Sequence, residues 1–119
     1  MDKLSDKIDI LDVNVINALN ACSKMLQNDW PYAGAEAILF GSQARGQAGA
    51  ESDVDLLVLV EETITSEQEK AIHDDIYEIS LDFDVVISAI ILTKQQWNSP
   101  VSAILPLHQN IEREGVLVA

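Results

Sequence analysis

The sequence predicts an α/β fold, a small mixed sheet flanked by helices, and three observations carry that expectation. Val54 to Val60, VDLLVLV, is apolar on both faces beyond its carboxylates, the pattern of a central buried strand. An amphipathic helical pattern precedes it: Ile8, Leu11, Val15, Leu19, Cys22 and Leu26 recur every three or four residues. Between Val60 and the next strand candidate, Leu81 to Ile87, there is room for a helical crossover, which makes those two strands parallel and their connection right-handed.

Taken in order, the first helix is expected over Asp6 to Leu26, with Cys22 on its apolar face and Asp9, Asp12, Asn17 and Lys24 on the solvated one. Cys22 reads as core, since buried cysteines are usually inert. Asn28-Asp29-Trp30-Pro31-Tyr32 ends the helix, because Pro31 biases Trp30 away from helical backbone. Trp30 and Tyr32, aromatics beside a turn, read as packing, with stacking on a base as the other use. Ala37 to Phe40 is a short buried strand. The spacer Gln43 to Ser52 is too short for a crossover, so the strands on either side of it run antiparallel.

Beyond Glu61 and Glu62, Ser66 and Glu69 form a capping-box pattern that starts a helix running to about Ile79. Thr93 with Gln96 predicts a cap and a short turn ending near Trp97. Ser99-Pro100 opens another helical region, which Pro106 must kink or restart. Leu107, Ile111 and Gly115 mark a final helix and its C-terminus, and Val116 to Val118 can add an edge strand. His73 and His108 share no metal-ligand spacing and read as surface or boundary residues.

With 119 residues, the expectation is a single domain over residues 1–119 with little material for a second lobe. The 20 acidic and 7 basic residues give a formal net charge of -13. Such a surface repels nucleic acid phosphates and favours a basic protein partner. A lone cysteine, no signal peptide and no long uncharged apolar span point to the cytoplasm, away from membranes.

The residues that promise chemistry lie between Phe40 and Leu56, FGSQARGQAGAESDVDL. Gly41 lets backbone approach a ligand closely, Ser42 offers a hydroxyl, and the segment after them can begin a helix whose free N–H groups suit a phosphate. Asp53 and Asp55, one residue apart on an extended strand, point to the same face. They repel each other unless a cation lies between them, and magnesium fits best, being held by carboxylates together with substrate phosphates. Arg45, one of two arginines, can clamp a phosphate, or pair with Glu51 or with the aspartates. Asp82 and Asp84 fall near the start of the third strand and come out beside Asp53 and Asp55, and alternation alone does not choose between them.

Gly41-Ser42, a ten-residue spacer and Asp53-Val54-Asp55 together resemble the signature of polymerase-beta-superfamily nucleotidyltransferases. The form GSQARG…SDVDL looks most like the minimal members that act as antitoxins in bacterial toxin–antitoxin pairs, and Asn110 to Val116 resembles their tail. The likeness covers Phe40 to Val60, Asp84 and this end of the chain. It implies that Gly41, Ser42 and Arg45 bind ATP and that Asp53 and Asp55 hold magnesium. Among the later acids it selects Asp84, whose setting Phe83-Asp84-Val85-Val86 matches the family pattern, as ligand of a second ion and aid to deprotonation. The implied reaction is transfer of AMP to a hydroxyl, the implied acceptor being a tyrosine of a cognate basic toxin that forms a hetero-oligomer with this chain. Two rivals stand beside it: an antitoxin that neutralises by covering alone, and transfer to a small molecule, which the lack of an acceptor lobe disfavours.

Overall fold

The computed structural model describes residues 1–28, 34–46 and 53–119. A two-residue strand, β1 (Asp2–Lys3), leads into a 3-10 turn over Leu4–Lys7, and the first helix, α1, spans Val13–Asn28. The helix therefore starts later than the apolar spacing predicts. Asp12 stops it from extending further back, because its Oδ1 accepts the Asn14 N–H at 3.0 Å and caps the first turn. Leu11 is buried all the same, whereas Ile8 is exposed. A turn that folds back has produced a helix-like spacing of apolar residues.

The second strand, β2 (Glu36–Phe40), runs into a single helical turn, α2 (Gly41–Ala44), and β3 (Val54–Val60) returns antiparallel to β2. Trp30, Tyr32 and Glu51 lie outside the described residues. Helix α3 (Ser66–Asp82) is capped by Thr65, one residue before the expected Ser66: Thr65 Oγ1 accepts the Gln68 N–H at 3.1 Å, and Gln68 Oε1 accepts the Thr65 N–H at 2.9 Å.

Helix α3 also runs past Ile79, which overturns the expected strand Leu81 to Ile87. The alternation in Leu81-Asp82-Phe83-Asp84 imitates a strand, but the helical face Ile72, Ile76, Ile79 packs on the core immediately before it, and Leu81 and Asp82 continue that helix as exposed residues. The helix ends in a left-handed residue, Asp84 (φ 54°), and the Val85 N–H donates to the Ser80 carbonyl at 3.1 Å, the six-to-one bond of a Schellman motif. The next strand, β4, is Ile87–Thr93, and it pairs parallel with β3 as expected.

Thr93 and Ser99 cap two short helices, α4 (Lys94–Trp97) and α5 (Pro100–Ala103). Pro106 restarts the chain as α6 (Pro106–Glu114). The last strand, β5 (Val116–Leu117), is not at an edge: the sheet order is β1-β5-β2-β3-β4, and β1 pairs outside it.

Helices α1 and α3 cover one face of the sheet. Leu19, Cys22 and Leu26 meet Leu39, Leu56, Val58, Ile72 and Ile76 there. A smaller cluster on the other face joins Ile38, Leu57 and Leu59 to Trp97 and Ile111. By alternation Asp55 belongs to this second face, at the end where β3 begins. Its far end is tied by Lys94, which contacts Glu61 and the Gly34 carbonyl and lies 3.5 Å from Glu36. No helix among the described residues is long and apolar enough to cross a membrane.

Candidate active site

The site is built where β2 hands over to α2. Phe40 and Asp55 are direct partners in the antiparallel β2–β3 pairing, so the residue after Phe40 emerges beside the Asp55 side chain. That residue is Gly41, with φ at 77°, in the left-handed region that side chains rarely adopt. A Cβ on Gly41 would stand 2.3 Å from Asp55 Oδ2, so both the backbone angle and the space require glycine. The turn then closes on itself: the Arg45 N–H donates to the Gly41 carbonyl at 3.2 Å and the Gly46 N–H to the Gln43 carbonyl at 3.1 Å. Gly46, at φ 69°, ends it. Ser42 is half-buried in this turn and Gln43 is buried.

Asp53 is exposed just before β3, and Asp55 is half-buried within it. Burial holds the Asp55 carboxyl above the usual carboxylate range; the charge of Asp53 pushes it the same way, and Arg45 pulls it back. Two carboxylates side by side, Asp53 exposed and Asp55 half-buried beside the Gly41 turn, are the hard oxygen donors that magnesium would take, with its other positions left for water and phosphate oxygens. Among the described residues no group of three His, Cys, Asp or Glu converges as a metal cluster, so the donors brought together are the Asp53–Asp55 pair.

The sequence model of the nucleotidyltransferase domain family matches residues 19–114, which include the turn, both aspartates and Asp84. The chain belongs to the nucleotidyltransferase domain family. A "putative protein adenylyltransferase" of Methanocaldococcus jannaschii is 47% identical over 57 residues, 48% of this chain and 58% of that protein. The alignment thus spans little more than half the length of that relative. Among solved structures, one described as the crystal structure of the toxin-antitoxin with AMP-PNP superposes with a TM-score of 0.58 at 20% identity, covering 85% of this chain and 72% of that one. That likeness shows a shared fold.

The remaining candidate residues of this nucleotidyltransferase domain are placed unevenly. The Arg45 guanidinium reaches Glu114 at the end of α6, with Nη1 3.2 Å from Oε2, and both line a polar cleft of about 540 Å³. Arg45 is therefore held between α2 and α6 and still acts electrostatically on Asp55. Asp82 is the exposed last residue of α3 and Asp84 its exposed left-handed cap, so the two are not alternate residues of one strand. Asp84 lies two residues before Val86, whose carbonyl accepts the Val54 N–H at 2.8 Å.

The residue in register with Asp55 on β4 is Ser88, which is exposed. Sequence reasoning missed Ser88 because it began the strand too early. The apolar run Val85 to Leu92, interrupted only by Ser88, was the signal that could have found it. Cys22 is fully buried, and burial pushes its thiol up to about 12, in keeping with a core role. His108 is more enclosed than expected. It stacks on Trp97 with ring centroids 3.9 Å apart, and its Nδ1 lies 3.0 Å from Ser102 Oγ, which locks α6 onto α4 and α5.

Proposed function

We propose that this nucleotidyltransferase domain transfers AMP from ATP to a hydroxyl, a tyrosine of a cognate basic toxin, and so acts as its antitoxin. One observation carries the reading: the close approach of Gly41 to Asp55, which puts the Gly41-Ser42 turn and the motif's second carboxylate in one place. The description of the Methanocaldococcus jannaschii relative as an adenylyltransferase of proteins, and that of the structural neighbour as a toxin-antitoxin with an ATP analogue, support the choice of nucleotide and acceptor.

In this reading Gly41 and Ser42 bind the triphosphate through main-chain N–H groups and the hydroxyl, and Arg45 neutralises a phosphate oxygen. Asp53 and Asp55 would hold magnesium; Asp84, the candidate third carboxylate for a second ion, stands outside any three-residue metal cluster among the described residues. Bound magnesium supplies charge neutralisation for the attacking and leaving oxygens. The acceptor oxygen forms a bond to the α-phosphorus as the bond from that phosphorus to the bridging oxygen breaks. Pyrophosphate leaves with the electron pair, and the acceptor proton passes to a carboxylate, Asp84 being the candidate base. In a toxin that binds RNA, the attached AMP would place a negative charge on the surface and repel the RNA backbone.

The test is incubation with magnesium and α-labelled ATP against a host lysate, beside the Asp53→Asn, Asp55→Asn double variant. A labelled protein that disappears with the double variant is expected. Labelling that survives it would reject the carboxylate assignment, and neutralisation of a toxin without any gain in its mass would reject the enzymatic reading.

A further inference from the structure

We propose that the free edge of β4 is the docking rail for the acceptor: an extended segment of the partner protein adds to the sheet as a further strand, next to Ser88 and level with Asp55. This rests on the transfer reading above and goes beyond it by naming where and how the acceptor binds.

The hydrogen-bond pattern identifies the groups that are on offer. Among the described residues, β4 is the last strand in the sheet and pairs with β3 alone. Because the Val54 N–H bonds to the Val86 carbonyl, the main-chain groups of Val86, Ser88 and Ile90 face β3. Those of Ile87, Ala89 and Ile91 consequently point to the open edge. A row of such groups is a template for another strand, and proteins that do not use one blunt it with charge, proline or a bulge. None of these protects this edge. From Val85 to Thr93 the chain has no charged residue, no proline and no glycine, in a molecule where 27 of 119 residues are charged.

The side chains continue the argument. Ile87, Ala89 and Ile91 pack against the α1–α3 core. Val86, Ser88 and Ile90 lie on the opposite face with Asp55, and all three are exposed, Val86 by 60%. An added strand would set its own alternate side chains beside these, apolar against Val86 and Ile90, with the central one level with Ser88 and Asp55.

Charge selects the occupant. The rail starts next to Asp53, Asp55, Asp82 and Asp84, and the whole chain carries -13, so a second copy is repelled and a segment with basic flanks is favoured. Reach selects the hydroxyl. The added strand would lie two strand spacings from β3, roughly 9 to 10 Å. A tyrosine side chain covers most of that gap, whereas serine and threonine hydroxyls, one bond beyond Cβ, do not.

The probe is a lysine-flanked peptide with a central tyrosine and valines at alternate positions, added to the full chain with magnesium and a non-hydrolysable ATP analogue. Slowed amide exchange at Ile87, Ala89 and Ile91 is expected. With ATP the peptide tyrosine should gain AMP, and the same peptide with serine in its place should not. Ala89→Pro removes an edge donor at a position where an edge strand tolerates proline, so it should keep nucleotide binding and lower peptide labelling about tenfold. A peptide N-methylated on the amides that face β4 should give no protection, and this arm stands whether or not the proline variant folds.

Unchanged exchange at the three amides overturns the docking proposal, whether or not the peptide is labelled. So does equal labelling by the proline variant, or equal protection by the N-methylated peptide. Protection without labelling would leave the docking intact and refute the transfer reading instead.

Discussion

Gly41 lies against Asp55 so closely that a single methyl group would occupy the carboxylate's place, 2.3 Å from Oδ2. A strand pairing in the fold, Phe40 with Asp55, imposes this contact.

Gly41→Ala should therefore harm activity more than stability. The left-handed backbone costs an alanine about 1–2 kcal/mol. Asp55, a short side chain at the sheet end, can rotate away from the methyl group, but it then leaves its partner Asp53. A modest fall in the unfolding midpoint with transfer reduced to background is expected. A variant that keeps near-normal transfer would show that the contact is structural only.

Asp55→Asn should raise the melting temperature at neutral pH in the presence of a chelator. The folded state raises the pKa of Asp55, so folding favours its protonated form. Stability from this group is present at low pH and is lost as pH rises from the ordinary carboxylate range through the raised value. The variant's advantage should disappear below that range, and magnesium should stabilise the native chain but not the variant. A variant that melts lower than the native chain at every pH would contradict the like-charge reading.

Asp84 can be tested for its two roles separately. As a left-handed cap it is strained, so Asp84→Gly should stabilise the fold by up to about 1 kcal/mol while Asp84→Asn changes little. As third carboxylate it is needed for transfer, so both variants should lose activity. Full activity in the glycine variant would reduce Asp84 to a helix cap.

Arg45 and Glu114 should move the pH profile of transfer in opposite directions. Arg45 lowers the pKa of Asp55, so Arg45→Ala shifts the acid limb of the profile to higher pH. Glu114 offsets the Arg45 charge at 3.2 Å, so Glu114→Gln should shift it to lower pH. Two profiles that overlay the native one would disprove the electrostatic link.

The local sequence carried the motif, the strand VDLLVLV, the antiparallel return and the parallel crossover, because each depends on spacing and composition within a short window. Thr93 with Gln96 and Pro106 likewise marked helix boundaries by local hydrogen bonding and by a missing donor. What spacing could not decide was where one pattern stops. Ile8 and Leu11 kept a helical rhythm across a turn that Asp12 ends, and Leu81 to Asp84 kept a strand rhythm across the end of a helix that runs to Asp82. That second boundary sets the register of β4, and with it the pairing of Ser88 with Asp55 and the free edge of Ile87, Ala89 and Ile91. The attachment of Arg45 to Glu114, 69 positions away, is likewise tertiary, since only the packing of α6 against α2 brings the two together. The sequence alone nominated the residues proposed for the chemistry; their arrangement in space was decided by packing, because burial of the α3 face through Ile79 and the left-handed cap at Asp84 outweigh the local alternation that imitates a strand.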